Sequence, residues 1–281
     1  MKIIECPRDA IQGINPFIPT ENKARYINEL LRAGFDTIDF GSFVSSKAIP
    51  QLADTAEVLK KLDLSSTTRL LAIVANERGA RKACAFDEIT YLGFPFSVSE
   101  TFQKRNTGAS IAESVERVRM ISKLCREYGK ELVIYISMGF GNPYGDKWNA
   151  TIVMKWVNML RRLGVNTFSI ADTVGIATVE VINYLFGNLR PAYPDLEFGA
   201  HFHTDGSNWR EKVSVAYAHG IRRFDTAILG FGGCPMAGNE LVGNLSTDKL
   251  LQFMAEKQLE TSLKQETITH LEQSFKQLIS S

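Results

Sequence analysis

The sequence predicts a (β/α)8 TIM barrel with one extra C-terminal helix, built as a single domain over 1–281. Three observations lead there. Eight short runs rich in β-branched and aromatic residues alternate with longer segments of helical period. The 281 residues suit a fold that usually takes about 250. The unusual polar residues fall just past the C-terminal ends of the strands, where a barrel keeps its functional groups.

The first strand covers 2–6 and runs directly into Pro7-Arg8-Asp9. A doubly wound open sheet would need a glycine-rich phosphate turn at that point, so the barrel is preferred. A helix at 22–33 ends on Gly34, which can take the left-handed cap, and the second strand follows at 37–40. A helical segment at 51–61 precedes the third strand, 69–75, and the fourth strand is placed at 88–91. The helix at 111–128 ends at Gly129, before the fifth strand at 131–137. The helix at 150–163 ends at Gly164, before the sixth at 167–170. A helix at 179–189 leads to the seventh strand, 197–203, and a helix at 208–218 with Gly220 leads to the eighth, 223–229. The tail at 264–279 reads as a further amphipathic helix, suited to cover the barrel or to join an oligomer contact.

Composition narrows the function. The formal net charge is +1, which argues against a nucleic-acid surface. No apolar run approaches the roughly 20 residues of a membrane helix. The charged opening segment does not read as a signal peptide. Cysteines stand at 6, 84, 125 and 234, with no paired metal-type spacing, so a reduced cytoplasmic setting is expected.

The chemistry centres on His201-Phe202-His203. Residues two apart on a strand point to the same face, so both imidazoles can grip one ion. The bland alternative is a pair of hydrogen-bonded core histidines. Asp9, after the first strand, can add a carboxylate, or act as a loop cap or ion-pair partner. Asn244 can add an amide oxygen, or serve as N-cap of a helix starting near Leu245. This mixed oxygen and nitrogen set suits Mg²⁺, Mn²⁺, Zn²⁺ or Co²⁺. Arg8 places a fixed cation beside the site, either for a developing oxyanion or for a barrel-mouth ion pair. Asp172, after the sixth strand, reads as a ligand clamp or as the cap of a turn. Cys234, in Gly232-Gly233-Cys234-Pro235, can enter the pocket as acid, base or nucleophile, or stay a small buried residue. His219 and His270 read as helix-surface residues.

These residues carry a resemblance. Pro7-Arg8-Asp9-x-x-Gln12, Ser42-Phe43-Val44-Ser45-x-Lys47, Pro50-Gln51, Asp172-Thr173-x-Gly175, His201-x-His203 and Gly232-Gly233-Cys234-Pro235 spread over most of the chain. The chain resembles the 3-hydroxy-3-methylglutaryl-CoA lyases within the metal-dependent lyase and Claisen-synthase barrels. The resemblance implies a divalent metal, Mg²⁺ or Mn²⁺ first, held by Asp9, His201, His203 and Asn244. It implies that Arg8 stabilises enolate charge, that His201 and the acidic Asp39 take part in catalysis, and that Cys234 helps proton transfer. It places Gln12, Ser42, Ser169 and Asp172 near substrate. It implies an acyl-CoA substrate, coenzyme A included, a homodimer, and a role in leucine breakdown or ketone-body formation.

The chain departs from the family pattern in places. Asp39 stands where glutamate is usual, Thr204-Asp205 replaces Asp-Thr, Phe231 and Met236 alter the glycine loop, and lysines are missing after Gln12. The stretch from Cys234 to Asn244 is one residue longer than usual. Three other readings share the motifs. One is a citramalate- or homocitrate-type synthase, disfavoured because the chain ends soon after the barrel. The others are a 2-oxo acid aldolase and an inactive paralogue that only binds acyl-CoA or metal.

Overall fold

The computed structural model describes residues 1–204, 206–233 and 243–280. Eight parallel strands close in sequence order into a barrel, β1 pairing with both β2 and β8. The order is β1 (Lys2–Glu5), α1 (Pro7–Ile11), α2 (Thr20–Ala33), β2 (Thr37–Ser42), α3 (Thr55–Leu59), β3 (Arg69–Ile73), α4 (Glu77–Cys84) and β4 (Ile89–Ser97). Then come α5 (Glu100–Thr107), α6 (Ile111–Glu127), β5 (Glu131–Ser137), α7 (Ala150–Arg161), β6 (Thr167–Ala171), α8 (Val179–Ala192), β7 (Glu197–His201), α9 (Trp209–Ala218), β8 (Arg223–Thr226), α10 (Thr247–Glu256) and α11 (Gln265–Ile279). Among the described residues, no helix is long and apolar enough to cross a membrane.

Alternation along the strands sorts the apolar residues into two groups. Leu70, Ala72, Leu92, Phe94, Ile134 and Ile136 belong to the large core between sheet and helices. Leu71, Ile73, Tyr91, Val133 and Tyr135, each on the other face of its strand, form a separate small cluster inside the barrel. The rest of the interior is polar and includes buried Asp39, Ser169, Arg223 and Asp225. Gly199 has a specific task there: a Cβ would lie 2.9 Å from Cδ of Arg223, so only glycine lets the arginine stem cross β7.

The expected strands all exist, β5 with the expected bounds and the others with shifted ends. β4 runs six residues past Tyr91, through Gly93 and Pro95, residue types that usually interrupt a strand. Pro95 keeps register with Tyr135, and a Cβ on Gly93 would strike Ile73 at 2.6 Å. β2 extends to Ser42, so Asp39 sits mid-strand rather than at its end. β7 and β8 stop earlier, at His201 and Thr226. The helical segment at 51–61 splits into a 3-10 turn, Pro50–Leu52, and α3. Helices α1 and α5 are too short to show helical periodicity and were not expected. Gly34, Gly129, Gly164 and Gly220 all adopt positive φ as expected.

The tail helix covers the barrel. α11 buries Ile268, Leu271, Phe275 and Leu278, and Phe275 packs 5.5 Å from Tyr26 of α2 and 5.1 Å from Phe231. The barrel seam between β8 and β1 is pinned by Glu5. Its carboxylate accepts from Ile228 N (2.8 Å), Thr247 Oγ1 (2.6 Å) and Thr226 Oγ1 (3.2 Å).

Burial pushes Glu5 up from 4.5 to about 7 against these three hydrogen bonds. The folded state therefore holds a proton that the unfolded chain releases. Stability from this group is complete below 4.5 and is lost as pH rises through 7. The full loss is about 3 kcal/mol, from the energy of a pKa unit. Urea unfolding across this pH range should show wild-type stability falling, with a shallower fall for Glu5→Gln. Equal slopes for the two proteins would refute this account of Glu5.

Candidate metal centre and active site

The site is assembled at the C-terminal ends of β1 and β7. Pro7 opens α1 as soon as β1 ends, because its ring presets the first helical φ and removes an N–H that would have no partner. The single turn that follows buries both Arg8 and Asp9. His201 closes β7. His203 lies beyond the strand, in an isolated antiparallel bridge with Asn244. Ligand atoms of Asp9, His201 and His203 all lie within 4.8 Å of one another.

Each histidine is held at one nitrogen. His201 Nδ1 meets Asp225 Oδ2 at 3.2 Å. A carboxylate oxygen accepts, so Nδ1 carries the hydrogen and Nε2 is the nitrogen left for the site. Ser169 Oγ donates to the same Asp225 oxygen at 2.7 Å. The His203 ring hydrogen-bonds to the Thr173 backbone, and its buried Nε2 has no partner. A buried imidazole nitrogen with no partner, facing a carboxylate and a second imidazole, fits a divalent metal site. The carboxylate–histidine and carbonyl–histidine supports are of the kind that orient metal ligands.

The charge states of Asp9 and His203 agree with that use. Burial alone would raise Asp9, but Arg8 and the two histidines outweigh it and hold Asp9 at about 2. Burial, with His201 adding to it, lowers His203 to about 4, so its imidazole is neutral at pH 7. Burial would lower His201, but the Asp225 hydrogen bond and charge raise it.

Arg8 is the hub of the polar floor. Its Nε and Nη2 donate to Asp39 Oδ2 at 3.0 and 2.6 Å, and Nη1 donates to Asp9 Oδ1 at 2.9 Å and Gln12 Oε1 at 3.1 Å. Burial alone would lower its pKa, but Asp39 and Asp9 raise it, so it is a permanent cation. Asp39 is fully buried behind Arg8, with its Oδ1 unpartnered, and burial raises it to about 6 despite the arginine. Gln12 Nε2 donates to Asp9 Oδ1 at 2.7 Å.

A cavity of about 600 Å³ rises from this floor. Arg8, Asp9, Gln12, His201 and His203 line it, together with Ser42, Tyr135, Ser137 and Thr173. Ile73, Pro95, Val44 and Phe102 form apolar walls, and Asn76, Arg105, Asn106 and Arg117 line it further out along the chain. Arg105 lies 4.7 Å over the Tyr144 ring.

Several candidate residues sit elsewhere than the sequence suggested. Asn244 caps no helix: α10 begins after Ser246, and Asn244 Nδ2, rather than its amide oxygen, faces the site's carboxylate, donating to Asp9 Oδ2 at 2.7 Å and to Phe231 O at 2.9 Å. Ser169 and Asp172 do not line the cavity. Ser169 is turned to Asp225, and Asp172 pairs with Lys212 at 2.7 Å while accepting from Ala177 N at 3.0 Å. Asp39 likewise reaches the cavity only through Arg8. Cys234 lies outside the described residues, as do Met236 and Asp205. Thr204 touches the loop return instead, its N donating to Gly243 O at 2.7 Å. His219 is half-buried and bonds Asn183 at 2.8 Å, while His270 is exposed.

Sequence reading missed Asp225, Thr173 and Lys212. Asp225 carried a signal: it stands between Phe224 and Thr226 in a barrel strand, and pairs in register with His201. Lys212 carried none, because a lysine on an outer helix normally faces water.

Comparison with known proteins agrees with this geometry. The HMGL-like family model matches residues 2–274. The cytoplasmic 3-hydroxy-3-methylglutaryl-CoA lyase of Danio rerio is 31% identical over 94% of this chain and 78% of its own. The hydroxymethylglutaryl-CoA lyase YngG of Bacillus subtilis is 28% identical over 93% of this chain and 87% of its own. The crystal structure of the HMG-CoA lyase from Brucella melitensis superposes with a TM-score of 0.93 at 28% identity, covering 100% of this chain and 99% of that one.

Arg8→Met should leave Asp39 as a buried carboxylate without a partner and cost about 3–5 kcal/mol. Urea unfolding at neutral pH measures this. Pairing it with Asp39→Asn should restore most of the loss. A single variant as stable as the parent would show that the Arg8–Asp39 pair does not hold the floor together.

Proposed function

The chain belongs to the HMGL-like family of carbon–carbon lyases, and on that footing we propose that it cleaves 3-hydroxy-3-methylglutaryl-CoA to acetoacetate and acetyl-CoA. The observation that carries this reading is the convergence of Asp9, His201 and His203 beside the Arg8 cation, all lining a partly apolar cavity. The whole chain, 1–281, acts as one catalytic barrel.

Asp9, His201 and His203 would hold a divalent ion, with Asn244 beside Asp9 as the fourth protein group. When bound, the ion supplies Lewis acidity toward the substrate's tertiary hydroxyl and a carbonyl oxygen. The donor set suits Mg²⁺ or Mn²⁺, with Zn²⁺ or Co²⁺ as further candidates. The hydroxyl proton passes to a base near the ion, a carboxylate such as Asp39 or else His201, the latter only with its Nε2 off the ion because Asp225 holds its Nδ1. As that proton leaves, the ketone of acetoacetate forms and the carbon–carbon bond breaks, its electron pair passing to the acetyl-CoA enolate. Arg8 stabilises the enolate oxygen, and Asp39 keeps that guanidinium charged and oriented. Cys234 delivers the proton to the enolate carbon, a role that rests on the family resemblance. Gln12 steadies Asp9, Ser42 contacts the acyl portion, and Ser169 and Asp172 act from behind the histidines. Arg105, Arg117, Asn76 and Asn106 offer cations and amides suited to the coenzyme A portion.

The same reading places the chain in the cytoplasm, in leucine breakdown or ketone-body formation, as a homodimer. A named cytoplasmic relative supports the first of these.

A coupled acetoacetate assay with 3-hydroxy-3-methylglutaryl-CoA tests the proposal. Activity with Mg²⁺ or Mn²⁺ that disappears on chelation is the expected result. No acetoacetate from folded, metal-loaded protein would redirect attention to condensation with 2-oxo acids. Cys234→Ser should lower kcat by about 10²–10⁴, the usual range for a lost proton-transfer group. Unchanged turnover in that variant, with the metal still bound, would remove Cys234 from the mechanism.

A further inference from the structure

We propose that Lys212, a buried lysine on α9, is a positioning residue for the metal centre, locking the backbone of His203 to the turn that follows β6. This rests on the reading that Asp9, His201 and His203 hold a divalent ion.

Lys212 is 2% exposed although its helix belongs to the outer ring. Its Nζ donates to Asp172 Oδ2 at 2.7 Å, His203 O at 2.8 Å and Gly175 O at 3.4 Å. An ammonium has three hydrogens, and these three oxygens use them all. The stem is long and the charge compact, so one lysine can collect acceptors from two separate segments, the turn after β6 and the end of the β7 loop.

The need for such a clamp follows from where His203 lies. β7 ends at His201, and the paired positions of β7 with β6 and β8 end there too. His203 is therefore outside the sheet ladder that fixes His201. Two contacts tie it to the turn after β6. Its ring bonds the Thr173 backbone, and its own carbonyl is bonded by Lys212, which also grips Asp172 and Gly175 of that turn. The turn is in turn fixed to β7, since Asp172 N donates to His201 O at 2.9 Å. Backbone and imidazole of His203 are thus held by neighbouring residues of one turn. Removing the lysine leaves the ring contact but frees the carbonyl.

A purely compensating role, in which Lys212 only neutralises Asp172, makes a different prediction. The test titrates Mn²⁺ alone into purified protein, with free Mn²⁺ read by electron paramagnetic resonance. One tight site in the parent is expected, and its absence would sink the metal reading itself. Lys212→Met leaves Asp172 unpaired, so the informative variant pairs Lys212→Met with Asp172→Asn and removes both buried charges together. It should unfold cooperatively yet bind Mn²⁺ about 10–100-fold more weakly, the usual effect of losing a residue that orients a metal ligand. Parent-like Mn²⁺ affinity in the folded pair would overturn the proposal. Asp172→Asn alone keeps the lysine on the His203 carbonyl, so its Mn²⁺ affinity should fall by less than that of the double variant. A loss there as large as in the Lys212→Met variants would move the role from Lys212 to Asp172.

Discussion

A guanidinium buried between two carboxylates organises the mouth of this barrel. Arg8 spends its donors on Asp39, Asp9 and Gln12, and neither carboxylate would stay ionised so far from water without it. The arrangement constrains everything around it. Asp39 must come from the middle of β2 to lie under the arginine, and α1 must turn immediately after β1 to place Arg8 above it. Arg8, Lys212 and Arg223 are the buried cations around the site. Against them stand four buried carboxylates, Asp9, Asp39, Asp172 and Asp225. The excess is negative and lies where Asp9 faces the histidines. A divalent cation is the natural counter-charge for that position.

The histidines show how a barrel makes ligands rigid. His201 is fixed twice, by the β-ladder on both sides and by Asp225 at its Nδ1. Ser169 fixes Asp225 in turn, so the carboxylate cannot swing away from the ring. His203 has no ladder and depends on contacts from the turn after β6 and from the Asn244 bridge. The two ligands therefore differ in what holds them, although the sequence presents them as a symmetrical pair. The loop departure at Thr204-Asp205 has its counterweight here. Support for the imidazoles comes from β8 and from the β6 turn rather than from the residue that follows His203.

Much of this was readable beforehand, for identifiable reasons. The eight strands were legible because the face each turns to the helices is buried and carries apolar residues in alternation. Asp9, His201 and His203 stood out because charged or imidazole groups at strand ends have few structural uses. Asp225 was legible in kind but not noticed, as a carboxylate inside an apolar strand. The length of β4 was hidden because Gly93 and Pro95 usually interrupt strands. In this barrel the glycine is required by the crowding of Ile73, and the proline keeps register with Tyr135. Asn244 misled because asparagine ahead of a helix normally caps it. Here Ser246 takes the N-cap position, and the Asn244 amide goes to Asp9.

The sequence by itself determined the fold class, the order of elements and the ligand types, because periodicity and burial are local consequences of residue chemistry. It also determined which residues carry charge at the ends of strands. Tertiary structure decided which of those charges meet. Asp39 and Arg8 are 31 positions apart, and Asp9 and Asn244 are 235 apart, so only closure of the barrel brings them within hydrogen-bond distance. It decided as well that Ser169, Asp172 and Lys212 work behind the histidines. A side chain's partner depends on the register of neighbouring strands and the reach of surrounding helices, and neither is written in the residues beside it.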